Sequence, residues 1–451
     1  MPFETEAYTV HEAGGSIRLE KVQIDDVRDG EVLIETVAFS VCATDLKAAA
    51  GKFLLKPPMI LGHEASGIVL QAPGSKSGLK PGTKVLLSFS HCGACSTCKD
   101  NGPAYCHNLS SLNFSGRRSD GSSAVRDEHG KELNHFFFGQ SSMGRHILAR
   151  ETSVVALPDE TPIEDLRKFS ALGCGIQTGA GAIIPVPFPL NSHRAPLLLP
   201  QHSPEAHPTP TDPPSNVCRP FPGASIAIIG AGAVGLSAAL AALTLSPAHI
   251  ILIDTSASKL ALAPASLRPT STSPSSGVRI THIDSSSRPA PSASTSAPVG
   301  PASPAQDPLT TALHSAAQAA GNTGVDFILD CVGHPSLIEA AIPALAARGT
   351  VVTVGGGAPG VEARVKLMDM LIGGRTWRGT HQGDSDGGPF LRRLIRMERE
   401  GVWGFGELVG EYGFLDGGEG GDGKEGPGGG LGRALEDLKE GRVVKAVVVV
   451  K

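Results

Sequence analysis

The chain has 451 residues, of which 40% are hydrophobic, and this is enough for two or three domains with a large buried core. A net charge of −5 gives no reason to expect a nucleic acid or an anionic membrane as partner, and no apolar run approaches the roughly 18 residues that a membrane span needs. The N-terminus has no basic segment followed by an apolar stretch, so we expect no secretory signal and a cytoplasmic protein.

The first part of the chain, residues 1–184, has the sequence pattern of a β-rich domain. Short apolar, β-branched runs lie at 32–34, 68–70 and 84–87, separated by glycine and proline turns.

A compact group of cysteines follows these strands. Cys92, Cys95, Cys98 and Cys106 form a C-x2-C-x2-C-x7-C pattern within one loop. Four thiolates at this spacing can surround one Zn²⁺ tetrahedrally and leave no open position, which predicts a structural zinc lobe at 92–106. Two disulfides or reduced surface cysteines are the alternatives.

Three segments have compositions that do not support a core. Proline-rich sequence at 185–222 and proline- and serine-rich sequence at 264–308 together hold 21 of the 35 prolines, and 417–432 is rich in glycine. Such stretches bury little and cannot sustain helices or central strands. We expect them to be disordered insertions on a compact fold.

The second part of the chain alternates strands and helices. Continuous apolar runs at 226–229, 250–253, 327–329 and 350–354 suit strands buried on both faces, and an alanine- and leucine-rich helix follows the first of them. This pattern predicts a doubly wound parallel sheet at 223–381. The remaining chain, 382–451, ends in a strand expected to rejoin the first domain.

A glycine fingerprint joins the first of these strands to its helix. Gly230 permits a tight turn, Gly232 lets the backbone approach a pyrophosphate, and Gly235 allows close packing of helix and strand. Asp254 ends the next strand, where a carboxylate accepts hydrogen bonds from a ribose and repels a 2′-phosphate, so NAD is favoured over NADP. A tight structural turn with an aspartate helix cap is the alternative.

A second group of possible metal ligands is scattered along the chain. It comprises Cys42, the pair His63 and Glu64, and Cys174. No spacing rule unites them, and the residues alone favour the alternative of two small buried hydrophobes with an ordinary loop pair.

The order of the motifs nevertheless resembles the zinc-dependent medium-chain alcohol dehydrogenases. Cys42-x-Thr44-Asp45 and Gly62-His63-Glu64 come first, then the four-cysteine lobe, Gly173-Cys174-Gly175 and the glycine fingerprint. Segments at 87–90, 113–118, 138–142, 173–181 and 383–385 resemble the aryl-alcohol (benzyl-alcohol) dehydrogenase branch. The resemblance implies an α/β fold, with a GroES-like β-rich catalytic domain and a Rossmann nucleotide domain.

The resemblance implies a catalytic zinc held by Cys42, His63 and Cys174, in addition to the structural zinc, so two Zn²⁺ per chain. Glu64 would be a nearby supporting group or a transient ligand. Asp45 would orient the imidazole of His63.

Other roles follow from the same resemblance. Thr44 would take the alcohol proton, and Thr178, on a loop after Cys174, would contact the nicotinamide side of NAD. Lys445 would contact the pyrophosphate, with a solvated surface charge as the alternative. Phe89, Phe114 and Met143 would surround a flat, apolar alcohol, unless they are plain core packing.

The implied activity is hydride transfer between a primary, aromatic or benzylic, alcohol or its aldehyde and NAD. Glutathione-dependent formaldehyde oxidation and a non-catalytic homologue are the alternatives. The resemblance also implies a homo-oligomer, a dimer or tetramer, formed through the edge of the nucleotide sheet near 351–354.

Overall fold

The computed structural model describes residues 2–100, 102–184, 218, 220–267, 277–286, 307–357, 360–415 and 429–451. Most of the predicted insertions at 185–222 and 264–308, and the glycine-rich segment up to residue 428, lie outside these residues. Within 264–308, however, Arg279–Asp284 forms a strand paired with His249–Asp254, so the expectation of disorder is wrong for this stretch. The chain divides into two compact units: unit 1 is Met1–Gln177, Ser385–Glu400 and Phe405–Lys451, and unit 2 is Thr178–Asp384 and Gly401–Gly404.

The described residues form β-strands and helices along the whole chain. The strands are β1 (Phe3–Val10), β2 (Arg18–Ile24), β3 (Glu31–Val41), β4 (Met59–Ile60), β5 (Ala65–Gln71), β6 (Lys84–Leu87), β7 (Val125–Asp127), β8 (Glu132–Leu133), β9 (His146–Arg150), β10 (Val154–Ala156), β11 (Ser225–Ile229), β12 (His249–Asp254), β13 (Arg279–Asp284), β14 (Val325–Asp330), β15 (Leu345–Thr353), β16 (Thr376–Gly379), β17 (Val409–Gly413) and β18 (Lys445–Val449). The α-helices are α1 (Ala43–Ala49), α2 (Ser96–Lys99), α3 (Leu109–Phe114), α4 (Ile163–Phe169), α5 (Gly175–Ile183), α6 (Ala233–Leu243), α7 (Ala257–Ser266), α8 (Pro308–Ala319), α9 (Pro335–Ala344), α10 (Leu367–Gly373), α11 (Gly387–Arg399) and α12 (Gly429–Glu440). Short 3-10 helices lie at Pro103–Tyr105, Phe137–Gly139, Glu151–Ser153, Ser170–Gly173, Gln382–Asp384 and Phe405–Leu408.

Unit 1 contains two sheets that are almost entirely antiparallel. One has the order β4-β1-β2-β7-β8, and the other runs β10-β6-β5-β3-β18-β17, with β9 also paired to β3. Strand β3 is central, and nearly all of its side chains are buried, which explains the apolar runs at 32–34 and 37–39. The C-terminal strand β18 pairs antiparallel with the end of β3. It therefore places Lys445 beside the residues that precede Cys42.

Unit 2 is built on a six-stranded parallel sheet with the order β13-β12-β11-β14-β15-β16. Every side chain of β11 is buried, and β12 is buried up to its last residue. If β11 is taken as strand 1, the order is 3-2-1-4-5-6, which is the order of dinucleotide-binding folds. In these folds, ligands bind at the carboxyl ends of the strands. The predicted α/β fold, a β-rich catalytic domain with a doubly wound parallel sheet, is confirmed.

The edge of this sheet differs from the expected one. Strand β15, which contains residues 351–353, pairs with β14 on one side and with β16 on the other. Among the described strands, the two edges of the sheet are therefore β16 and β13, and the expectation of an edge near 351–354 is wrong by one strand. Helix α10, which precedes β16, exposes Leu367, Met368, Leu371 and Ile372. Within the described chain, no helix combines the length and apolar character that a membrane crossing requires.

Candidate metal centre and dinucleotide site

The scattered group of possible ligands converges in unit 1. One ligand atom from each of Cys42, His63, Glu64 and Cys174 lies within 4.8 Å of the others. Cys42 is the N-cap of α1 directly after β3, and His63 lies just before β5. Cys174 lies at the junction between a 3-10 helix and α5. The fold thus brings together residues for which the sequence offered no common spacing.

The His63 ring is oriented by a buried carboxylate. Asp45 Oδ1 lies 2.8 Å from His63 Nδ1 and accepts a hydrogen bond from the Gly62 amide. Asp45 Oδ2 accepts from the Cys42 amide at 2.9 Å, so this carboxylate ties both ligand segments together. The other ring nitrogen, Nε2, is buried and has no hydrogen-bond partner among the described residues. An unpartnered imidazole nitrogen beside two thiols fits a Zn²⁺ ion.

Each of the two thiols changes the pKa of the other. A hydrogen bond with Cys174 lowers the pKa of Cys42. Burial raises this pKa, but the hydrogen bond and the positive charge of Lys445 together outweigh it. The same hydrogen bond and burial raise the pKa of Cys174. A divalent cation binds cysteine as the thiolate, so metal binding at these two sulfurs would release protons.

Lys445 lies beside this group rather than at the surface. It is 1% exposed, and its Nζ lies 2.5 Å from Glu64 Oε2 and 2.7 Å from Glu64 Oε1. Burial opposes the charged form, but the Glu64 carboxylate outweighs it and raises the pKa of Lys445. The alternative that Lys445 is a solvated surface charge is therefore wrong. Its expected contact with a pyrophosphate stays a prediction, and the buried pair with Glu64 was missed because no local pattern signals it.

The four-cysteine group also converges. The sulfurs of Cys92, Cys95, Cys98 and Cys106 lie within 4.8 Å of one another, around α2. All four thiols are free, and the Cys92 and Cys98 sulfurs are 3.9 Å apart, far beyond a disulfide bond. The amides of Ala94 and Cys95 donate to the Cys92 sulfur. This arrangement suits one tetrahedral ion with four thiolate ligands.

The glycine loop in unit 2 has the geometry that its residue types require. Gly230 follows β11 with a φ of +103°, which favours glycine. A Cβ on Gly235 would lie 1.9 Å from the Gly230 carbonyl oxygen, so only glycine allows this approach of helix to strand. Gly232 is the N-cap of α6, and a Cβ there would meet no protein atom within 4 Å. The helix begins with free N–H groups that suit a phosphate.

Asp254, at the end of β12, supports this loop. One carboxylate oxygen accepts a hydrogen bond from the Ala231 amide at 2.7 Å, and the other accepts from the Ser256 amide at 2.8 Å. The carboxylate therefore fixes the loop and also lies where a ribose would be expected.

Two threonines with predicted roles, Thr178 and Thr44, follow the ligands Cys174 and Cys42 in the sequence. Thr178 is buried in unit 2, lies on helix α5 rather than on the expected loop, and donates to Gln382 Oε1. Thr44 lies in the first turn of α1 and is half-buried, two residues after Cys42.

An aromatic cluster that sequence reasoning missed packs against His63. The Phe138 ring stacks on the imidazole at 4.6 Å, and Phe137 meets it edge-on at 5.4 Å. Phe114 packs edge-on against Phe138. Phe89 and Met143 are buried in the same hydrophobic core cluster as Phe137 and Phe138. The run of three phenylalanines at 136–138 was the available signal.

Family models match two parts of the chain. Residues 28–159 match the alcohol dehydrogenase GroES-like domain, and residues 275–396 match the zinc-binding dehydrogenase domain.

Relatives match over nearly the whole length. The chain is 32% identical to a geraniol dehydrogenase from Castellaniella defragrans, over 98% of this chain and 97% of the relative. A zinc-binding domain alcohol dehydrogenase structure from Burkholderia ambifaria has a TM-score of 0.76 at 30% identity and full coverage of both chains. The structure of benzyl alcohol dehydrogenase from Acinetobacter calcoaceticus has a TM-score of 0.74 at 28% identity, also with full coverage.

Proposed function

The chain belongs to the zinc-dependent medium-chain alcohol dehydrogenase family, and from this premise we propose that it transfers a hydride between a primary, aromatic or benzylic, alcohol or its aldehyde and NAD. One observation carries the proposal: two half-buried thiols and an unpartnered imidazole nitrogen converge beside a supporting carboxylate. This ligand set, with one exchangeable position, is that of a catalytic zinc.

Cys42, His63 and Cys174 would hold this zinc, and the four-cysteine group would hold a second, structural one. A zinc ion bound there would act as a Lewis acid toward the alcohol or aldehyde oxygen. Asp45 keeps the His63 proton on Nδ1, so that Nε2 is available as a ligand. Glu64 and Lys445 add a carboxylate and an ammonium next to the thiols.

Thr44 is our candidate for the proton relay. Thr44 follows Cys42 by two residues, in the first turn of α1. Its hydroxyl would accept the alcohol proton and pass it outward. A bound nicotinamide would supply the acceptor for the hydride of the carbinol carbon.

For the cofactor, we propose NAD bound at Gly230, Gly232 and Gly235, with Thr178 near the nicotinamide and Lys445 near the pyrophosphate. The preference over NADP rests on Asp254, whose carboxylate would repel a 2′-phosphate.

The aromatic preference rests on the side chains around His63. Phe137 and Phe138 pack against His63, and Phe114 packs against Phe138, so the surroundings of the ligand group are aromatic and would favour a flat, apolar alcohol. The relatives named for geraniol and benzyl alcohol are consistent with an unsaturated alcohol.

We test these assignments with purified, metal-assayed protein and a panel of alcohols, each with NAD and with NADP. We expect about two zinc ions per chain and the highest kcat/KM with benzylic alcohols and NAD. If benzyl alcohol is inert while S-hydroxymethylglutathione is oxidised, the substrate assignment is wrong. If no alcohol is turned over by zinc-loaded protein, the catalytic assignment is wrong.

We also propose a cytoplasmic homo-oligomer, a dimer or tetramer. The eight cysteines are free thiols, which suits a reducing compartment. The exposed apolar face of α10 and the neighbouring edge strand β16 offer a self-complementary surface, because an edge strand can pair with a second copy of itself.

A further inference from the structure

One loop runs alongside the His63 ligand segment over its whole length. We call Phe136–Met143 the clamp loop. The amides of Ser142 and Met143 donate to the carbonyl oxygens of Gly62 and Leu61, both at 3.0 Å. The Glu64 amide donates to Ser142 Oγ at 3.1 Å. The backbone is therefore held on both sides of His63.

The clamp loop adopts a backbone conformation that is costly for its residue types. Phe136, Phe138 and Ser141 have φ angles of 63°, 54° and 54°. Side chains other than glycine rarely adopt this region, and it persists only where surrounding contacts enforce it. Such strain is concentrated at functional sites, so the shape of this loop calls for a function beyond connecting two strands.

At the centre of the clamp loop, Gln140 is 0% exposed and bridges two segments. Its Nε2 donates to the His63 carbonyl oxygen at 2.9 Å and to the Ser88 carbonyl oxygen at 2.8 Å. Among the described residues, no hydrogen bond reaches its buried Oε1. What the side chain contributes is thus a pair of donors, each directed at a different stretch of backbone.

Ser88 continues this connection to the third ligand. Its hydroxyl lies 3.1 Å from the carbonyl oxygen of Gly173, the residue directly before Cys174, and 2.9 Å from Gln177 Oε1. Gly173 packs so tightly here that a Cβ would lie 2.0 Å from the Leu87 carbonyl oxygen. A buried chain of hydrogen bonds therefore runs from His63 through Gln140 and Ser88 to the Cys174 segment.

We propose that Gln140 is a positioning residue that fixes the His63 and Cys174 ligand segments relative to each other. The inference rests on the proposed function, because it assumes that these segments bind zinc. Ligands held in place before the metal arrives bind it more tightly, and loss of such supporting groups weakens metal binding by about 10–100-fold.

The test measures zinc release from the holoenzyme to a chromogenic chelator. Gln140→Met keeps the length of the side chain and removes both donors. We expect the zinc bound by Cys42, His63 and Cys174 to leave about 10–100-fold faster than from the wild type. Release from the four-cysteine lobe should be unchanged. The Cys42→Ser variant should retain only the lobe zinc, so its release curve shows which kinetic phase of zinc release comes from the lobe.

The matched control is Asn113→Leu, which removes another fully buried amide. Asn113 Nδ2 donates to the carbonyl oxygens of Ser90 and Leu109, both at 2.8 Å, and its Oδ1 accepts from the Ser90 amide at 2.8 Å. Among the described residues, none of these hydrogen bonds reaches Cys42, His63 or Cys174. The variant should lower the unfolding temperature without speeding release from the Cys42 group. A general effect of losing a buried amide would instead appear in both variants.

Two results overturn the proposal. One is that Gln140→Met releases zinc from the Cys42 group at the wild-type rate. The other is that Gln140→Met and Asn113→Leu accelerate this release equally. If Gln140→Met does not fold, Ser88→Ala breaks the next link, to Gly173, and carries the same expectation. A wild-type chain that binds only the lobe zinc would refute the proposed function itself, which separates the two failures.

Discussion

The Glu64 carboxylate and the Lys445 ammonium lie 2.5 Å apart, and neither is reached by solvent. They come from opposite ends of the sequence and meet only because β18 pairs with β3. Their pairing compensates two charges that would each be costly to bury alone.

Lys445→Met should therefore destabilise the protein strongly. Removing the ammonium leaves the buried Glu64 carboxylate uncompensated, which costs about 3–5 kcal/mol. Denaturant unfolding of the zinc-loaded protein measures this loss. The control is Lys451→Met, at an ion pair with Glu35 in which the lysine side chain is 52% exposed. It should cost at most about 1 kcal/mol. Equal losses in both variants would show that burial of the pair is unimportant.

The two cysteine groups should have separate functions. Cys42→Ser should abolish turnover and remove one zinc, while the chain stays folded because the lobe is untouched. Cys98→Ser should lower the unfolding midpoint by about 5 °C or more, because structural zinc contributes folding free energy. Metal content by mass spectrometry, with thermal unfolding, checks both. The division is wrong if the two variants lose the same amount of stability.

Two glycines of the nucleotide loop should respond differently to alanine. In Gly235→Ala the new Cβ would meet the Gly230 carbonyl oxygen at 1.9 Å, so we expect a loss of about 1–3 kcal/mol in stability. Gly232→Ala meets no protein atom and should fold normally. Its methyl group would occupy the space of the cofactor pyrophosphate and weaken NADH binding about tenfold, or 1.4 kcal/mol.

Fluorescence titration with NADH and thermal unfolding distinguish these effects. Wild-type NADH affinity in Gly232→Ala would mean that the pyrophosphate does not approach this loop.

A charge on the exposed face of α10 should prevent self-association. Leu371 is 72% exposed, and Leu371→Glu should raise the dissociation constant of the oligomer about a hundredfold, as expected for an interface hot spot. Leu415→Glu, at a leucine that is 63% exposed in unit 1, should leave the oligomer intact. Light scattering after gel filtration gives the mass of each variant. An unchanged mass for Leu371→Glu would place the interface elsewhere.

Where the determining contacts are local, the sequence was sufficient. The glycine fingerprint and the four-cysteine lobe each lie within a few residues, so their spacing already reflects the turn or the tetrahedron they form. The alternation of buried strands and helices likewise predicted the parallel sheet of unit 2. Local patterns predicted the boundaries of elements less accurately. Thr178 lies on a helix instead of a loop, and β16 rather than β15 is the edge strand on that side of the sheet.

Only the tertiary structure could bring Cys42, His63 and Cys174 together, because their separation in the sequence carries no periodicity. Their proximity follows from the pairing of β3 with β5 and from the packing of the Gly173 backbone against Leu87. The same holds for Lys445 beside Glu64 and for Gln140 between His63 and Ser88. Hydrogen bonds between distant backbone segments are fixed by the packing of whole strands and loops, and no short stretch of residues encodes them.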